Sequence, residues 1–134
     1  MSYNCLLSDM IVRIKNSQLV KKKYVIVNFS NLIESVCKLL MKIGYISKFE
    51  KVVIGKNIFK VKIFLKYTGV LFVPAIKEFT LISKPGRRIF ISYKRIDNLC
   101  SKLGIVIVST SAGILTKSRA KHLKLGGEVL FNIF

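Results

Sequence analysis

The amino-acid sequence predicts an α+β protein with two small lobes. Apolar residues recur at helical spacing mainly before residue 45, whereas runs of residues typical of β-strands dominate the chain after it. The pattern relaxes near residues 67–75, which include Gly69 and Pro74. We therefore expect an N-terminal α/β lobe over 1–68, with two helices on a three-stranded sheet. A mainly β lobe with one short helix is expected over 69–134.

Two amphipathic helices are predicted in the first lobe. Apolar residues recur every three or four positions through residues 3–14, which is typical of a helix with one buried face. A second helix can begin after Ser30 or Asn31, and Glu34 would complete a capping box if Asn31 is the cap. This helix is expected to end at Gly44. Its predicted buried residues are Leu32, Val36, Leu39 and Ile43.

Three strands are predicted beside these helices. The first covers Tyr24–Phe29, and the other two cover 45–54 and 58–67, with Gly55-Lys56-Asn57 as the turn between them. The last strand alternates apolar and basic residues, which predicts one packed face and one solvated, positive face. The packed face would hold Phe59, Val61, Ile63 and Leu65, and the opposite face Lys60, Lys62 and Lys66.

The second lobe is predicted to be rich in strands. Gly69 opens a strand through Val73, and Pro74 interrupts it. A short helix over Asp97–Leu103 is expected to end at Gly104. The remaining strands are expected at Phe79–Ile82, Ile89–Tyr93, Ile105–Val108 and Val129–Ile133.

Charge is the strongest signal in the composition. The chain holds 24 Lys and Arg residues against 6 Asp and Glu residues, for a formal net charge of +18. Such a surplus repels itself, so we expect a polyanionic partner and favour nucleic acid. The alternative is a basic module that binds a membrane surface or an acidic partner. It is less favoured because such a module needs a helix with basic residues on one face and large apolar groups on the other. The first helix fits this pattern only weakly and has Asp9 on its polar side.

The mean hydropathy of +0.46 raises the question of a membrane span. A spanning helix needs about 20 mostly apolar residues, and the longest uncharged window, 103–116, is interrupted by three hydroxyl residues. The N-terminal residues lack the basic-then-apolar order of a secretory signal and the arginine-rich character of a transit peptide. We expect a protein that works in the compartment where it is made, without a membrane partner.

The sequence lacks the patterns that are typical of an enzyme. His122 is the single histidine and has no cysteine or carboxylate within a few residues. The acidic residues are dispersed, and no glycine pattern matches a phosphate-binding or dinucleotide-binding loop. Cys5, Cys37 and Cys100 are widely spaced, which favours buried, reduced thiols over a metal site. We expect no catalysis, no small-molecule substrate, no metal and no cofactor.

A basic turn and a run of hydroxyls are the first candidate binding segments. Pro85-Gly86 predicts a turn that projects Lys84, Arg87 and Arg88, whose cations suit phosphate oxygens. The hydroxyls can bond RNA phosphates, sugars and base edges, or they can end a strand in a local turn, and the residues favour neither role. The run consists of Ser109, Thr110 and Ser111, with Gly113 shortly after it.

Residues 126–128 form a second glycine site. Gly126-Gly127 allows another backbone to approach closely, or it supplies a positive φ. Glu128 can accept a hydrogen bond from the amino group of a base. It can also hold its own loop together by accepting from backbone N–H groups. These two roles of Glu128 are compatible, and the sequence leaves both open.

Several of these segments resemble the family of the eighth small-ribosomal-subunit protein, a universal rRNA-binding family. The stretch LGIVIVSTSAGILT at 103–116, followed by LGGE at 125–128, is similar to the C-terminal signature of that family. Matching upstream places hold SKPGRRI at 83–89, SDMIVRIKN at 8–16 and GYI at 44–46, so the similarity covers essentially the whole chain.

The resemblance implies a structural component of the small subunit that binds the central domain of its rRNA early in assembly. Neighbouring small-subunit ribosomal proteins would be further partners, and the C-terminal lobe would make the main RNA contact. The residues expected to contact RNA are Lys84, Gly86, Arg87, Arg88, Phe90, Ser109, Thr110, Ser111, Gly113, Gly126, Gly127 and Glu128, with Arg13 and Lys15 in the first lobe.

The chain departs from the family pattern at four positions. Ala112 and Asn31 stand in place of lysines, Phe90 in place of a tyrosine, and Lys117 in place of an acidic residue. Without a cation at Ala112, the hydroxyls and the backbone would contribute more to recognition there. The frequent use of Lys, Ile, Phe, Asn and Tyr is what an AT-rich genome favours. We therefore expect a ribosome in an organelle that encodes the protein (mitochondrion or plastid), or in the cytoplasm of an AT-rich bacterium.

Overall fold

The computed structural model describes residues 3–84, 86–98 and 104–134 and confirms the predicted α+β class. Its chain divides into two units, Met1–Ile76 and Lys77–Phe134. The lobe limits 1–68 and 69–134 stay a prediction. In chain order the elements are α1 (Tyr3–Leu19), β1 (Tyr24–Asn28), α2 (Asn31–Ile43), β2 (Ile46–Gly55), β3 (Ile58–Leu65), β4 (Tyr67–Thr68), β5 (Val73–Pro74), β6 (Phe79–Leu81), β7 (Phe90–Ile91), a 3₁₀ helix (Tyr93–Asn98), β8 (Ile105–Thr110), β9 (Gly113–Thr116), α3 (Lys117–His122) and β10 (Gly127–Ile133).

The first unit packs two helices on a three-stranded antiparallel sheet, as the sequence predicts. The strand order is β1-β3-β2, with β3 in the centre. Helix α1 contacts β1, and α2 contacts β2. Apolar side chains from the helices and from one face of the sheet form the core of this unit: Leu7, Met10, Ile11, Ile14, Ile33, Val36, Cys37, Leu40, Val25, Val27, Ile46, Val61, Ile63 and Leu65.

Helix α2 begins after Ser30, which resolves the choice between two possible caps. The Ser30 hydroxyl accepts a hydrogen bond from the backbone N–H of Ile33 at 3.1 Å. With the cap at Ser30, Glu34 lies one position too late for a capping box, and its carboxylate instead pairs with Lys38 at 3.4 Å. The helix ends at Gly44 as predicted, with φ of +103°.

The predicted buried face of α2 is confirmed at Val36 but is wrong at its other three positions. Leu32, Leu39 and Ile43 are only half-buried. Apolar residues occupy so many positions of this helix that spacing alone allows two adjacent faces, and packing against β2 selects one of them. The fully buried residues are Ile33, Val36, Cys37 and Leu40.

The alternation along β3 is confirmed except at its first apolar position. Val61, Ile63 and Leu65 are buried, but Phe59 is exposed. Val53, Ile54 and Ile58 are exposed as well, because this end of the β2–β3 hairpin extends past the core. The Phe59 ring instead packs edge-on against Phe29 at 6.1 Å between centroids.

The segment after β3 folds back on itself, so the single strand predicted for 69–73 was wrong. Gly69 adopts φ of +75°, and the short strands β4 and β5 pair across the turn. Tyr67 lies opposite Pro74, so Pro74 belongs to a strand instead of interrupting one. A proline is tolerated in this two-stranded ribbon because an edge strand does not need every N–H donor.

The second unit is a sheet built around β10. Strands follow the order β6-β10-β8-β9, and β7 pairs with the beginning of β10. The rings of Phe79 and Phe131 lie 4.8 Å apart between centroids in its core. Other fully or nearly fully buried residues of this unit are Ile96, Val106, Ile107, Val108, Ala120, Val129, Leu130 and Ile133.

One prediction for the second unit needed correction, and another falls mostly outside the described residues. The strand expected over Ile89–Tyr93 is limited to β7, because a 3₁₀ helix already begins at Tyr93. Of the helix expected over Asp97–Leu103, residues 97 and 98 end that 3₁₀ helix, and residues 99–103 lie outside the described ranges.

Strand β9 and helix α3 were not predicted. Thr116 caps α3 by accepting a hydrogen bond from the N–H of Arg119 at 3.2 Å. Six residues are too few to show a helical period, and Ala120 is the buried side chain of this helix. His122 lies in the last turn of this helix, exposed to solvent.

Candidate nucleic-acid interface

The beginning of β10 brings three of the predicted binding segments together. Gly127 pairs with Ile91 of β7 on one side and with Thr110 of β8 on the other. Residues that lie directly opposite each other in antiparallel strands direct their side chains to the same face. The next row across the sheet therefore places three predicted site residues on one face: Phe90, Glu128 and Ser109.

The two glycines before Glu128 are required by close backbone approach. A Cβ at Gly127 would lie 1.9 Å from the carbonyl oxygen of Ser109, and one at Gly126 would lie 2.5 Å from that of Ile91. Neither glycine has a positive φ. The first of the two roles offered by the sequence is therefore the correct one: absent side chains let β7 and β8 close on β10.

The basic turn is a tight hairpin turn. Backbone hydrogen bonds join Lys84 and Arg87 in both directions, at 3.1 and 2.9 Å. Gly86 has φ of +82°, which a glycine adopts without strain. Lys84 and Arg87 are exposed, as the sequence predicts for a turn that projects cations.

Ser83 joins this turn to β10 by hydrogen bonds. Its side chain is fully buried, accepts a hydrogen bond from the N–H of Ile89 at 3.1 Å and donates one to the carbonyl oxygen of Val129. Ser83 could not be selected from the sequence, because a serine beside a turn is usually exposed. Its partner Val129 lies 46 residues later in the chain. The bond to Val129 holds the turn next to Glu128.

Arg88 and Glu128 form a two-point ion pair. The guanidinium Nε lies 3.1 Å from Oε1, and Nη2 lies 2.7 Å from Oε2. The Glu128 side chain is 5% exposed, whereas the Arg88 side chain is 53% exposed. Arg88 also lies 5.4 Å from the centroid of the Phe90 ring, which is itself exposed. The carboxylate thus orients a cation toward solvent, a role that the sequence did not indicate.

The three hydroxyls occupy different environments. Thr110 shapes the turn between β8 and β9, since its hydroxyl accepts from the N–H of Ala112 at 3.2 Å and donates to the carbonyl oxygen of Gly113 at 2.9 Å. Ser111 is exposed at the tip of this turn, beside Ala112. Ser109 is half-buried in the row that contains Glu128. Local turn formation therefore applies to Thr110.

Arg13 and Lys15 lie in the first unit, on α1. Arg13 donates from Nε to Asp9 at 2.9 Å and from Nη1 to the carbonyl oxygen of Ile26 at 3.3 Å. Lys15 is exposed. Arg13 also lines a groove of about 570 Å³ with two further cations, Lys22 and Lys23. The remaining lining residues are Asn16, Ser17, Tyr24, Val25 and Ile26.

The described ranges contain no helix that is both long enough and apolar enough to cross a bilayer. Within the same ranges, His, Cys, Asp and Glu side chains do not gather in threes as a metal ion would require.

Comparison with known proteins places this chain in one family. The family model described as Ribosomal protein S8 matches residues 6–134. The chain is 41% identical over 128 residues to the small ribosomal subunit protein uS8 of Methylacidiphilum infernorum, with 96% of each chain covered. It is 37% identical over 131 residues to uS8c of Oltmannsiellopsis viridis, with 98% of each chain covered.

A third relative is uS8c of Chlorokybus atmophyticus, 38% identical over 127 residues, with 95% of this chain and 96% of its own covered. These matches span both units and include all the predicted site residues, which lie between Arg13 and Glu128. The resemblance found in the sequence is confirmed, and the chain belongs to the ribosomal protein S8 family.

Proposed function

We propose that this chain binds the central domain of small-subunit rRNA and supports the folding of that RNA during subunit assembly. The observation that carries the proposal is the convergence at the start of β10. Three features lie close together there: the turn between β8 and β9 that carries Thr110 and Ser111 (the hydroxyl turn), the basic turn at 84–87, and the Arg88–Glu128 pair. The family membership supports the same reading, because its members are structural components of the small ribosomal subunit.

As a member of this family, the chain is a ribosomal component and not an enzyme. Its partners are accordingly rRNA and other ribosomal proteins. The matched relatives include bacterial forms and chloroplast forms named uS8c, so its place is the ribosome of a bacterium or an organelle. The central domain as the particular RNA target is part of our proposal.

Affinity would come from exposed cations around the start of β10. Lys84 and Arg87 are exposed and are joined to each other by two backbone hydrogen bonds. Exposed cations of this kind can contact phosphate oxygens and release counterions from the RNA. Arg13 and Lys15 would add phosphate contacts from the first unit, Lys15 as an exposed lysine and Arg13 beside the groove that contains Lys22 and Lys23.

Shape recognition would come from the row that crosses β7, β10 and β8. Arg88 is held by Glu128 over the exposed Phe90 ring, and this offers a base a flat, partly cationic surface. Because Glu128 is buried against Arg88, we assign it the positioning of Arg88 instead of direct contact with a base.

The hydroxyl turn would make the close contact. Ser111 is exposed at the tip with no bulky neighbour, since Ala112 and Gly113 follow it. A hydroxyl there can donate to a phosphate or accept from a ribose 2′-hydroxyl. Thr110 would contribute indirectly, because its hydrogen bonds shape the turn that presents Ser111. Gly126 and Gly127 would also contribute indirectly, because they allow β7 and β8 to approach the start of β10 closely.

Binding to an isolated central-domain rRNA fragment, with a scrambled hairpin as control, tests the proposal. The full-length chain should bind the fragment more tightly than the scrambled hairpin in a filter-binding assay. If about 6–10 phosphates are contacted, affinity should fall roughly 10³–10⁵-fold between 50 and 200 mM salt. Equal affinity for the two RNAs would contradict the proposed specificity, and a flat salt response would contradict the role of the cations.

A further inference from the structure

The sheet of the first unit has a second face that its helices do not bury. Side chains alternate along β3, so Val61 and Ile63 point into the core while Lys62 and Phe64 point away from it. Tyr24 of β1 lies directly opposite Phe64 and is 45% exposed. We call this the open sheet face; its central residues are Tyr24, Ile26, Lys48, Glu50, Lys62 and Phe64.

Two aromatic rings lie side by side on the open sheet face. The centroids of Tyr24 and Phe64 are 6.2 Å apart, and the rings are tilted by 53°. The ammonium of Lys62 lies between them, 4.1 Å from the Tyr24 centroid and 5.1 Å from that of Phe64. Lys48 approaches the Phe64 ring to 4.6 Å. Aromatic surface and positive charge therefore alternate across neighbouring strands.

The charge of this face favours a polyanion. Lys48, Lys62 and the neighbouring Lys60 contribute three cations, whereas Glu50 contributes one anion and pairs with Lys48 at 3.4 Å. A lysine over an exposed ring is held weakly. The ammonium can therefore move to a phosphate while the ring face that it covered accepts another flat group.

We propose that the open sheet face binds single-stranded RNA, with unpaired bases stacking on Tyr24 and Phe64 and with Lys48 and Lys62 contacting the adjoining phosphates. Rings and cations side by side on an open sheet face are the chemistry by which proteins bind single strands without reading their sequence. Tyr24 is exposed and Phe64 is half-buried, so both rings are accessible at least in part. An acidic protein segment would use the lysines but would gain little from two adjacent rings. The inference rests on RNA being the ligand of this chain, as proposed above, but it concerns a different surface in the other unit.

The test uses the full-length chain and an eight-nucleotide oligouridylate, measured by fluorescence anisotropy. Tyr24→Thr and Phe64→Thr should each weaken oligonucleotide binding about fivefold or more, since one stacked base is lost. Threonine keeps the strand propensity at both positions. Phe59→Thr is the matched control, because Phe59 is an exposed phenylalanine of the same strand with a lysine over its ring, but it belongs to the opposite face. It should bind as the unchanged chain does.

Three outcomes decide the question. Loss of oligouridylate binding in both ring variants, with Phe59→Thr unaffected, supports the open sheet face as the site. Ultraviolet cross-linking of the oligonucleotide to Tyr24 or Phe64 would support it independently of affinity. If the ring variants lose no more than the control, or if an oligoglutamate peptide competes as well as RNA, the face is a general basic surface and the inference is overturned.

Binding of the same variants to the central-domain fragment separates this inference from the proposed function. Phe64→Thr should bind that fragment nearly as well as the unchanged chain, because the start of β10 is intact in it and Phe64 does not line the groove beside Arg13. A chain that binds oligouridylate through Tyr24 but fails to select the fragment would leave this inference standing and contradict the proposed function. Circular dichroism checks folding, and Tyr24→Thr remains informative if Phe64→Thr is unstable, because Tyr24 is well exposed.

Discussion

Arg88 and Glu128 are 40 residues apart in sequence, yet their side chains meet in a two-point ion pair at 3.1 and 2.7 Å. The pair joins the segment after the basic turn to β10. Its two members have unequal exposure, since Glu128 is buried and Arg88 is half-exposed. The pair therefore fixes the direction of a guanidinium that remains accessible to a ligand.

Arg88→Ala should lower the free energy of unfolding by about 2 kcal/mol, because it leaves a buried carboxylate without its charged donor. Glu128→Gln should cost less, about 1 kcal/mol, since the half-exposed guanidinium can return to water. Urea unfolding followed by circular dichroism measures both. Equal losses of unfolding free energy in the two variants would contradict this, and would show that a group other than Arg88 stabilises the Glu128 carboxylate.

Substitutions in the hydroxyl turn should separate stability from binding. Thr110→Val should cost about 1 kcal/mol of stability, because the bonds to Ala112 and Gly113 are lost. Ser111→Ala should change stability by less than about 0.5 kcal/mol, since its side chain is exposed at the tip. In a filter-binding assay, Ser111→Ala should lower the affinity for the central-domain fragment about fivefold, which corresponds to the loss of one hydrogen bond. A stability loss in Ser111→Ala equal to that in Thr110→Val would contradict this division of roles.

The periodic elements of the first unit were predictable because each strand and helix shows its buried face within its own sequence. Val61, Ile63 and Leu65 recur at every second position and are buried, while Lys60, Lys62 and Lys66 occupy the other face, so a local pattern sufficed. The face of α2 was less certain, because the choice of Ser30 as the cap and the packing on β2 depend on the folded chain. Helix α3 was missed because six residues cannot display a helical period.

The segments of the candidate site could be predicted, but their partners could not. Turn chemistry marked 84–87, and the hydroxyl run marked 109–111, since both are local signals. The pairing of Arg88 with Glu128 depends on strand order, which places β7 beside β10. The reason for two glycines at 126 and 127 likewise became clear only once Ser109 and Ile91 were found beside them.

Gly127→Ala should destabilise the second unit strongly. The added Cβ would lie 1.9 Å from the carbonyl oxygen of Ser109, a backbone atom that cannot move without opening the pairing of β8 with β10. We expect a loss of about 3 kcal/mol, the upper end for overpacked sites. The urea midpoint measures the loss.

Gly55→Ala is the control for this glycine substitution. Gly55 also ends a strand pairing, but its added Cβ would meet only Ile58, at 3.5 Å, which is an ordinary contact. Its unfolding free energy should change by less than about 1 kcal/mol. Similar losses in both variants would indicate that a general property of alanine, and not the contact with Ser109, causes the effect.

Cys37 is a fully buried residue of α2 that should make stability depend on alkaline pH. Burial, and secondarily the charge of Glu34, raises the pKa of Cys37 from 9.0 to about 12. The folded chain thus retains this proton at pH values where the unfolded chain has lost it. The resulting stabilisation is complete below pH 9 and is lost as the pH rises from 9 to about 12.

The free energy of unfolding should therefore decrease above pH 9 by up to about 1.4 kcal/mol per pH unit from this group alone. The measurement compares two chains, so that contributions other than that of Cys37 cancel. Cys37→Ala leaves a small cavity, whose cost does not depend on pH. The difference in urea-unfolding free energy between the unchanged chain and Cys37→Ala should be constant from pH 7 to 8.5 and should shrink or reverse by pH 10.5. A difference that stays constant over the whole range would show that the Cys37 thiol titrates alike in the folded and unfolded chains.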